Sequence, residues 1–189
     1  MRKRSANCIL ILGGGRSGKS TLAVEMARKR GGKVLFVATA EPFDDEMKRR
    51  INAHKKNRPQ SWLTLETPLN VGNEIIKNIG TSKTVILDCI TLLVNNVFEK
   101  YGEKATAGTL EKAVESEIKG LLDCVDKSTA TFIIVSNEVG LGIIPADSGS
   151  RLYRDLLGRA NQMLAARADE VYLLVAGLKM TLKNPISGR

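Results

Sequence analysis

The chain has 189 residues, 29 Lys and Arg against 20 Asp and Glu, a formal net charge of +9 and 43% apolar residues. That length suits a single domain over 1–189, with a core that needs neither disulfides nor a structural metal. One histidine and three widely spaced cysteines, Cys8, Cys89 and Cys124, exclude a zinc site and suit buried thiols in a reducing cytoplasm.

No apolar run reaches the roughly 18 residues of a bilayer span. The basic start Met1-Arg2-Lys3-Arg4 leads into a short strand, which argues against a signal peptide. That strand is Cys8-Ile9-Leu10-Ile11-Leu12, a buried apolar run. Leu22-Ala23-Val24-Glu25-Met26-Ala27-Arg28-Lys29 reads as a helix within 18–30. Between them, Gly13-Gly14-Gly15-Arg16-Ser17-Gly18-Lys19-Ser20-Thr21 matches the phosphate-binding pattern G-x-x-x-x-G-K-[ST]. Glycines let the backbone curl so that N–H groups point at phosphate oxygens, and the helix that follows adds its positive end. The pattern assigns Lys19 to the β- and γ-phosphates and the Ser20 hydroxyl to Mg²⁺.

Further strands are expected at 33–39, 62–66, 84–90, 131–136 and 170–176. Helices are expected at 44–57, 69–79, 107–127 and 150–168. The alternation predicts an α/β fold of three layers, a mostly parallel sheet covered on both faces. Leu178-Lys179-Met180-Thr181-Leu182-Lys183 alternates with period two and predicts an antiparallel edge strand, and the tail from Asn184 to Arg189 is expected to fray.

Thr84-Val85-Ile86-Leu87-Asp88 is an apolar strand closed by a carboxylate, the type that holds Mg²⁺ beside a phosphate loop. His54 shares a helix face with Met47 and Ile51. It reads either as a packing residue or as a nucleophile whose neutral ring attacks phosphorus. Around it, Lys48-Arg49-Arg50, Lys55, Lys56 and Arg58 form a basic run. Asn137 and Glu138, where a strand runs into the glycine-rich loop to Pro145, are substrate-contact candidates, because ligands bind at the carboxyl ends of such strands. Arg151, Arg154 and Arg159 on the next helix are candidates to meet phosphates.

Together these pieces resemble the bifunctional adenosylcobinamide kinase and adenosylcobinamide-phosphate guanylyltransferase family of cobalamin biosynthesis. The resemblance rests on the Gly13–Ser20 loop and on Val37-Ala38-Thr39-Ala40. It rests further on Asp44-Asp45-Glu46-Met47, Arg50-Ile51, His54-Lys55, Arg58-Pro59 and Trp62. Asp88-Cys89-Ile90-Thr91, Ser136 to Pro145, Arg154-Asp155, Gly158-Arg159 and Asn161-Gln162 complete it, over roughly 9 to 177. It implies a phosphate-loop kinase and guanylyltransferase whose His54 becomes guanylylated. It further implies backbone contacts to the nucleotide from Val37, Ala38, Thr39, Lys55, Lys56, Asn57 and Arg58 and a nucleotide contact from Glu66, with Asp88 standing where some relatives carry glutamate. The implied substrates are ATP, GTP and a corrinoid; the implied cofactor is Mg²⁺; the implied assembly is a homo-oligomer in the cytoplasm.

Two rival readings stand beside it. One is a phosphate-loop kinase of a small hydroxyl compound with His54 structural. The other, suggested by charge alone, is a nucleic-acid-stimulated ATPase; scattered cations and few aromatics speak against nucleic acid as a partner.

Overall fold

A computed structural model describes residues 7–42, 45, 46, 48, 49, 55, 59–102 and 105–184. Among these, the strands are β1 (Cys8–Gly13), β2 (Val34–Ala38), β3 (Leu63–Glu66), β4 (Thr84–Asp88), β5 (Thr131–Val135), β6 (Glu170–Val175) and β7 (Leu178–Lys183). They form one sheet in the order β3-β2-β4-β5-β1-β6-β7, parallel except for β7, which pairs antiparallel with β6. The helices are α1 (Lys19–Arg30), α2 (Val71–Asn78), α3 (Ile90–Tyr101), α4 (Ala107–Lys127) and α5 (Ser148–Arg167).

Every residue of β1 and β2 is buried, as expected for central parallel strands covered on both faces. The side-chain period of two divides the core. Ile9, Ile11, Phe36, Ile86, Ile133 and Val135 pack with Ala23 and Ala27 of α1. On the opposite face Leu10, Leu35, Val37, Val85, Leu87, Phe132 and Ile134 pack with residues of α2, α3, α4 and α5. On α4, Leu110, Val114, Ile118, Leu121 and Val125 form a stripe at helical spacing. Two helix starts are capped by side chains: Thr106 Oγ1 accepts from Thr109 N–H at 3.2 Å, and Asp147 Oδ1 from Ser150 N–H at 2.7 Å.

The expected strand at 84–90 is shorter, and a helix absent from the sequence reading follows it. The run from Val85 to Val94 is apolar and rich in β-branched residues, which hides the boundary. The chain leaves the sheet after Asp88, and Ile90, Leu93, Val94 and Val97 then bury one helical face. The helix expected at 44–57 lies largely outside the described residues; Asp45, Glu46, Lys48, Arg49 and Lys55 within it are helical. The tail expected to fray lies outside them from 185 onward. No described helix is long and apolar enough to cross a membrane. The cysteines are free. Burial pushes the Cys8 thiol up to about 12 and that of Cys124 to about 11, so both are protonated and inert near neutrality.

Helices α2 and α4 approach each other at Gly72. A Cβ built there would fall inside the radius of the Gly120 carbonyl and 2.9 Å from Leu121 N. Gly120 itself has open space around the equivalent position. Gly72→Ala is therefore expected to destabilise the fold by about 1–3 kcal/mol, the cost of overpacking against backbone. Gly120→Ala should be neutral or stabilising by up to about 1 kcal/mol through helix propensity. Thermal melts of the two variants check this; equal melting temperatures would contradict the assigned contact.

Candidate active site

The parallel strands end together, and their ends define a cleft of about 720 Å³. Glu66 pairs with Ala38, Ala38 with Asp88, and Asp88 with Val135, so these four residues stand in one row across the sheet. The row lies on the face packed under α1, because Ala38 and Val135 belong to that half of the core. Asp88 and Glu66 therefore project on the side that carries the phosphate loop.

The loop turns as its glycines allow. Gly18 has φ 98°, and Arg16 takes the left-handed region at φ 59° without being glycine. Gly13 has φ 153°, and a Cβ there would meet Ser17 Oγ at 2.7 Å and the Leu174 carbonyl closer still. The β6–β7 turn braces the loop from outside, Gly177 N–H donating to Ser17 O at 3.1 Å. Lys19 opens α1 and is only 7% exposed. Its ammonium donates to Gly14 O at 2.6 Å and, more weakly, to Ser17 Oγ at 3.5 Å. Burial lowers the proton affinity of Lys19, and the charge of Asp88 opposes that shift. Cys89 is pushed up to about 11 by burial and then by Asp88, so it is a thiol rather than a nucleophile.

Of the residues singled out from sequence, Gly15, Arg16, Ser17, Gly18, Lys19, Ser20, Thr21, Ala38, Lys55, Glu66 and Asp88 line the cleft. Gly13 and Gly14 shape the loop behind it. Val37 is fully buried, its side chain in the half of the core away from α1. Thr39 spends its hydroxyl within the protein, donating to Cys89 O at 2.7 Å and accepting from Cys89 N–H at 3.0 Å. His54, Lys56, Asn57 and Arg58 lie outside the described residues. Their neighbour Lys55 reaches the cleft and pairs with Glu66 at 2.5 Å. Among the described residues, four cations, Arg16, Lys19, Lys48 and Lys55, face two carboxylates, Glu66 and Asp88. The cleft suits a polyanion with room for a divalent cation.

Sequence reasoning gave no role to the side chains that fix the rim. Asn96 of α3 is 2% exposed and donates to Thr39 O at 2.8 Å and Pro68 O at 2.9 Å. Asn161 of α5 donates to Asn137 O at 3.0 Å, and Tyr153 OH to Thr91 O at 3.0 Å. An amide within an apolar helical stripe was the available signal: Asn161 stands between Leu157 and Leu164 at i+4 and i+7. Arg154 and Arg159 lie apart from the cleft beside Gly140, Gly142 and Gln162, paired with Asp155 and Glu111.

Comparison with known proteins agrees with this geometry. The family model described as cobinamide kinase / cobinamide phosphate guanyltransferase matches residues 9–182. The bifunctional adenosylcobalamin biosynthesis protein CobU of Escherichia coli K12 is 38% identical over 180 residues, covering 93% of this chain and 99% of its own. CobU of Salmonella typhimurium LT2 is 38% identical over the same shares. CobP of Pseudomonas aeruginosa is 38% identical over 175 residues, 93% of this chain and 96% of its own. The chain belongs to the cobinamide kinase / cobinamide phosphate guanyltransferase family.

Proposed function

We propose that the protein phosphorylates the aminopropanol hydroxyl of adenosylcobinamide with ATP or GTP, then transfers GMP from GTP through a covalent histidine to give adenosyl-GDP-cobinamide. The family supports the substrates and the two reactions. The observation that carries the chemistry is Lys19, a nearly buried ammonium held by its own loop at the sheet's carboxyl edge and facing Asp88. The resemblance supports a homo-oligomer working in the cytoplasm.

In the kinase step the substrate hydroxyl oxygen attacks the γ-phosphorus and gives up its proton to water, the bond to the β–γ bridging oxygen breaks, and a nucleoside diphosphate leaves. Lys19 and the loop N–H groups spread the charge that builds on the phosphoryl oxygens. In the guanylyl step a His54 ring nitrogen attacks the α-phosphorus of GTP and pyrophosphate leaves. An oxygen of cobinamide phosphate then attacks the same phosphorus, the P–N bond breaks and His54 is restored. Lys55 and Glu66 hold the nucleoside end. Ser20 and Asp88 are the residues to hold Mg²⁺. No cluster of three His, Cys, Asp or Glu occurs among the described residues, which fits an ion bound by one or two protein oxygens and completed by phosphates. Bound there, Mg²⁺ neutralises phosphate charge.

Three substitutions test this reading. Lys19→Ala is expected to lower both activities by about 10²-fold or more, the scale of losing a transition-state charge partner; kinase turnover within a few-fold of wild type would sink it. Asp88→Asn is nearly isosteric, so the melting temperature should hold while activity drops by a similar factor of about 10². A large melting shift with full activity in the folded fraction would make Asp88 structural. His54→Asn should abolish labelling of the protein by α-labelled GTP while phosphorylation of the corrinoid hydroxyl persists. In the wild type the label should fall as acid protonates the ring, and should be acid-labile and base-stable as a phosphoramidate. Undiminished labelling of His54→Asn would place the nucleophile elsewhere and leave a kinase with some other covalent chemistry.

A further inference from the structure

Strand β5 is inserted between β1, which carries the phosphate loop, and β4, which ends in Asp88. A residue just past the carboxyl end of β5 therefore lies between the two halves of the site. That residue is Asn137, which lines the cleft with Lys19 and Asp88. Its main chain is held on both sides: its N–H donates to Thr91 Oγ1 at 2.9 Å, and its carbonyl accepts from Asn161 Nδ2 at 3.0 Å. Glu138 N–H then donates to Gly13 O at 3.0 Å, tying the exit of the strand to the first glycine of the loop. Thr91 is steadied in turn by Tyr153, whose OH donates to its carbonyl. Asn161 is 6% exposed, so its grip on Asn137 is made away from water. Among the described residues, the side-chain amide of Asn137 has no hydrogen-bond partner.

A rigid backbone with an uncommitted amide in an anion-binding cleft is a preorganised donor. The loop N–H groups and Lys19 already cradle the β- and γ-phosphates from the loop side. Asn137, on the β5 side of Lys19 and beyond the level of Asp88, is placed for what projects past them. We propose that Asn137 Nδ2 donates to an oxygen of the γ-phosphoryl group, and that Asn161 is a positioning residue for it. The inference rests on the reading that this cleft takes a nucleoside triphosphate. It adds a group that distinguishes triphosphate from diphosphate, and so bound substrate from the diphosphate left by the kinase step.

The test is calorimetric titration with Mg²⁺ and the α,β-methylene analogues of GTP and GDP, in which the bond attacked by the histidine cannot be cleaved. Wild type should prefer the triphosphate. In Asn137→Ala the triphosphate-to-diphosphate affinity ratio should fall by about tenfold or more, the scale of one hydrogen bond to a charged group. The diphosphate affinity should stay within about twofold. Asn161→Ala should lower the same ratio by a smaller factor, and kinase turnover should fall with it. A general structural role would weaken both ligands equally and leave the ratio unmoved, and that result would overturn the proposal. Should Asn137→Ala not fold, Asn137→Asp keeps the shape, removes the donor and adds a repelling charge; its ratio must fall further still, and an unchanged ratio overturns the proposal. If neither analogue binds the wild type, the reading of the cleft fails with it. If wild type discriminates and Asn137→Ala discriminates as well, only the role of Asn137 fails.

Discussion

The site depends on four parallel strands stopping at one level. Because Glu66, Ala38, Asp88 and Val135 are register partners, their side chains share a face. Which face is decided by ordinary hydrophobic alternation: Ile86 packs under α1, while Val85 and Leu87 face the other layer. Asp88 follows with the parity of Ile86 and so lies on the side of the phosphate loop. A slip of one residue would turn the carboxylate toward the helices of the opposite layer and an apolar side chain toward the phosphates. The direction of a functional group is thus set by the burial of residues that touch no ligand.

Where strands stop, their last carbonyls lose ladder partners, and buried backbone groups must find others. Here helices supply them. Asn96 gathers the carbonyls of Thr39 and Pro68, past the ends of β2 and β3, and Asn161 takes that of Asn137 past β5. In each the Oδ1 atom is buried with no partner among the described residues, a cost on the order of 1–3 kcal/mol apiece. An apolar residue at either position would shift that penalty onto the carbonyls and release the rim. The amides therefore exchange stability for fixed geometry at the edge where ligands approach.

Much of this was legible in the sequence. Six strands and the antiparallel edge strand lie within two residues of their expected places, because buried parallel strands read as short apolar runs set off by glycines and helical stretches. Cleft residues from Gly15 to Thr21, with Asp88, were legible because loop and strand end carry local patterns. Helix α3 was not, since Cys89-Ile90-Thr91-Leu92 continues the apolar character of β4 across the bend. The contacts of Asn96, Thr91 and Tyr153 stayed hidden for another reason: their partners lie 57, 46 and 62 residues away in sequence, and no local pattern encodes a contact of that reach. The family resemblance gave Val37 and Thr39 as backbone contacts to the nucleotide. The fold assigns their side chains to the core and to the Cys89 backbone, so contact with a ligand from either is left to the main chain.

The two ends of the cleft differ in stiffness, and that suits the two proposed displacements, each on its own nucleoside triphosphate. At the loop end Lys19 is nearly buried and held by a short hydrogen bond to its own backbone. Charge there acts through low dielectric and needs little reorganisation when phosphates arrive. At the far end Lys55 and Glu66 pair across exposed surface, their side chains 46% and 55% accessible. Such a pair contributes about 0–1 kcal/mol and is exchanged for ligand contacts at little cost. Anchoring the phosphates common to both reactions asks for the first kind of site. Under the proposed mechanism, admitting a nucleoside, a histidine and a corrinoid in turn asks for the second. The boundary between them runs through Asp88 and Asn137, where β4 and β5 end beside the loop.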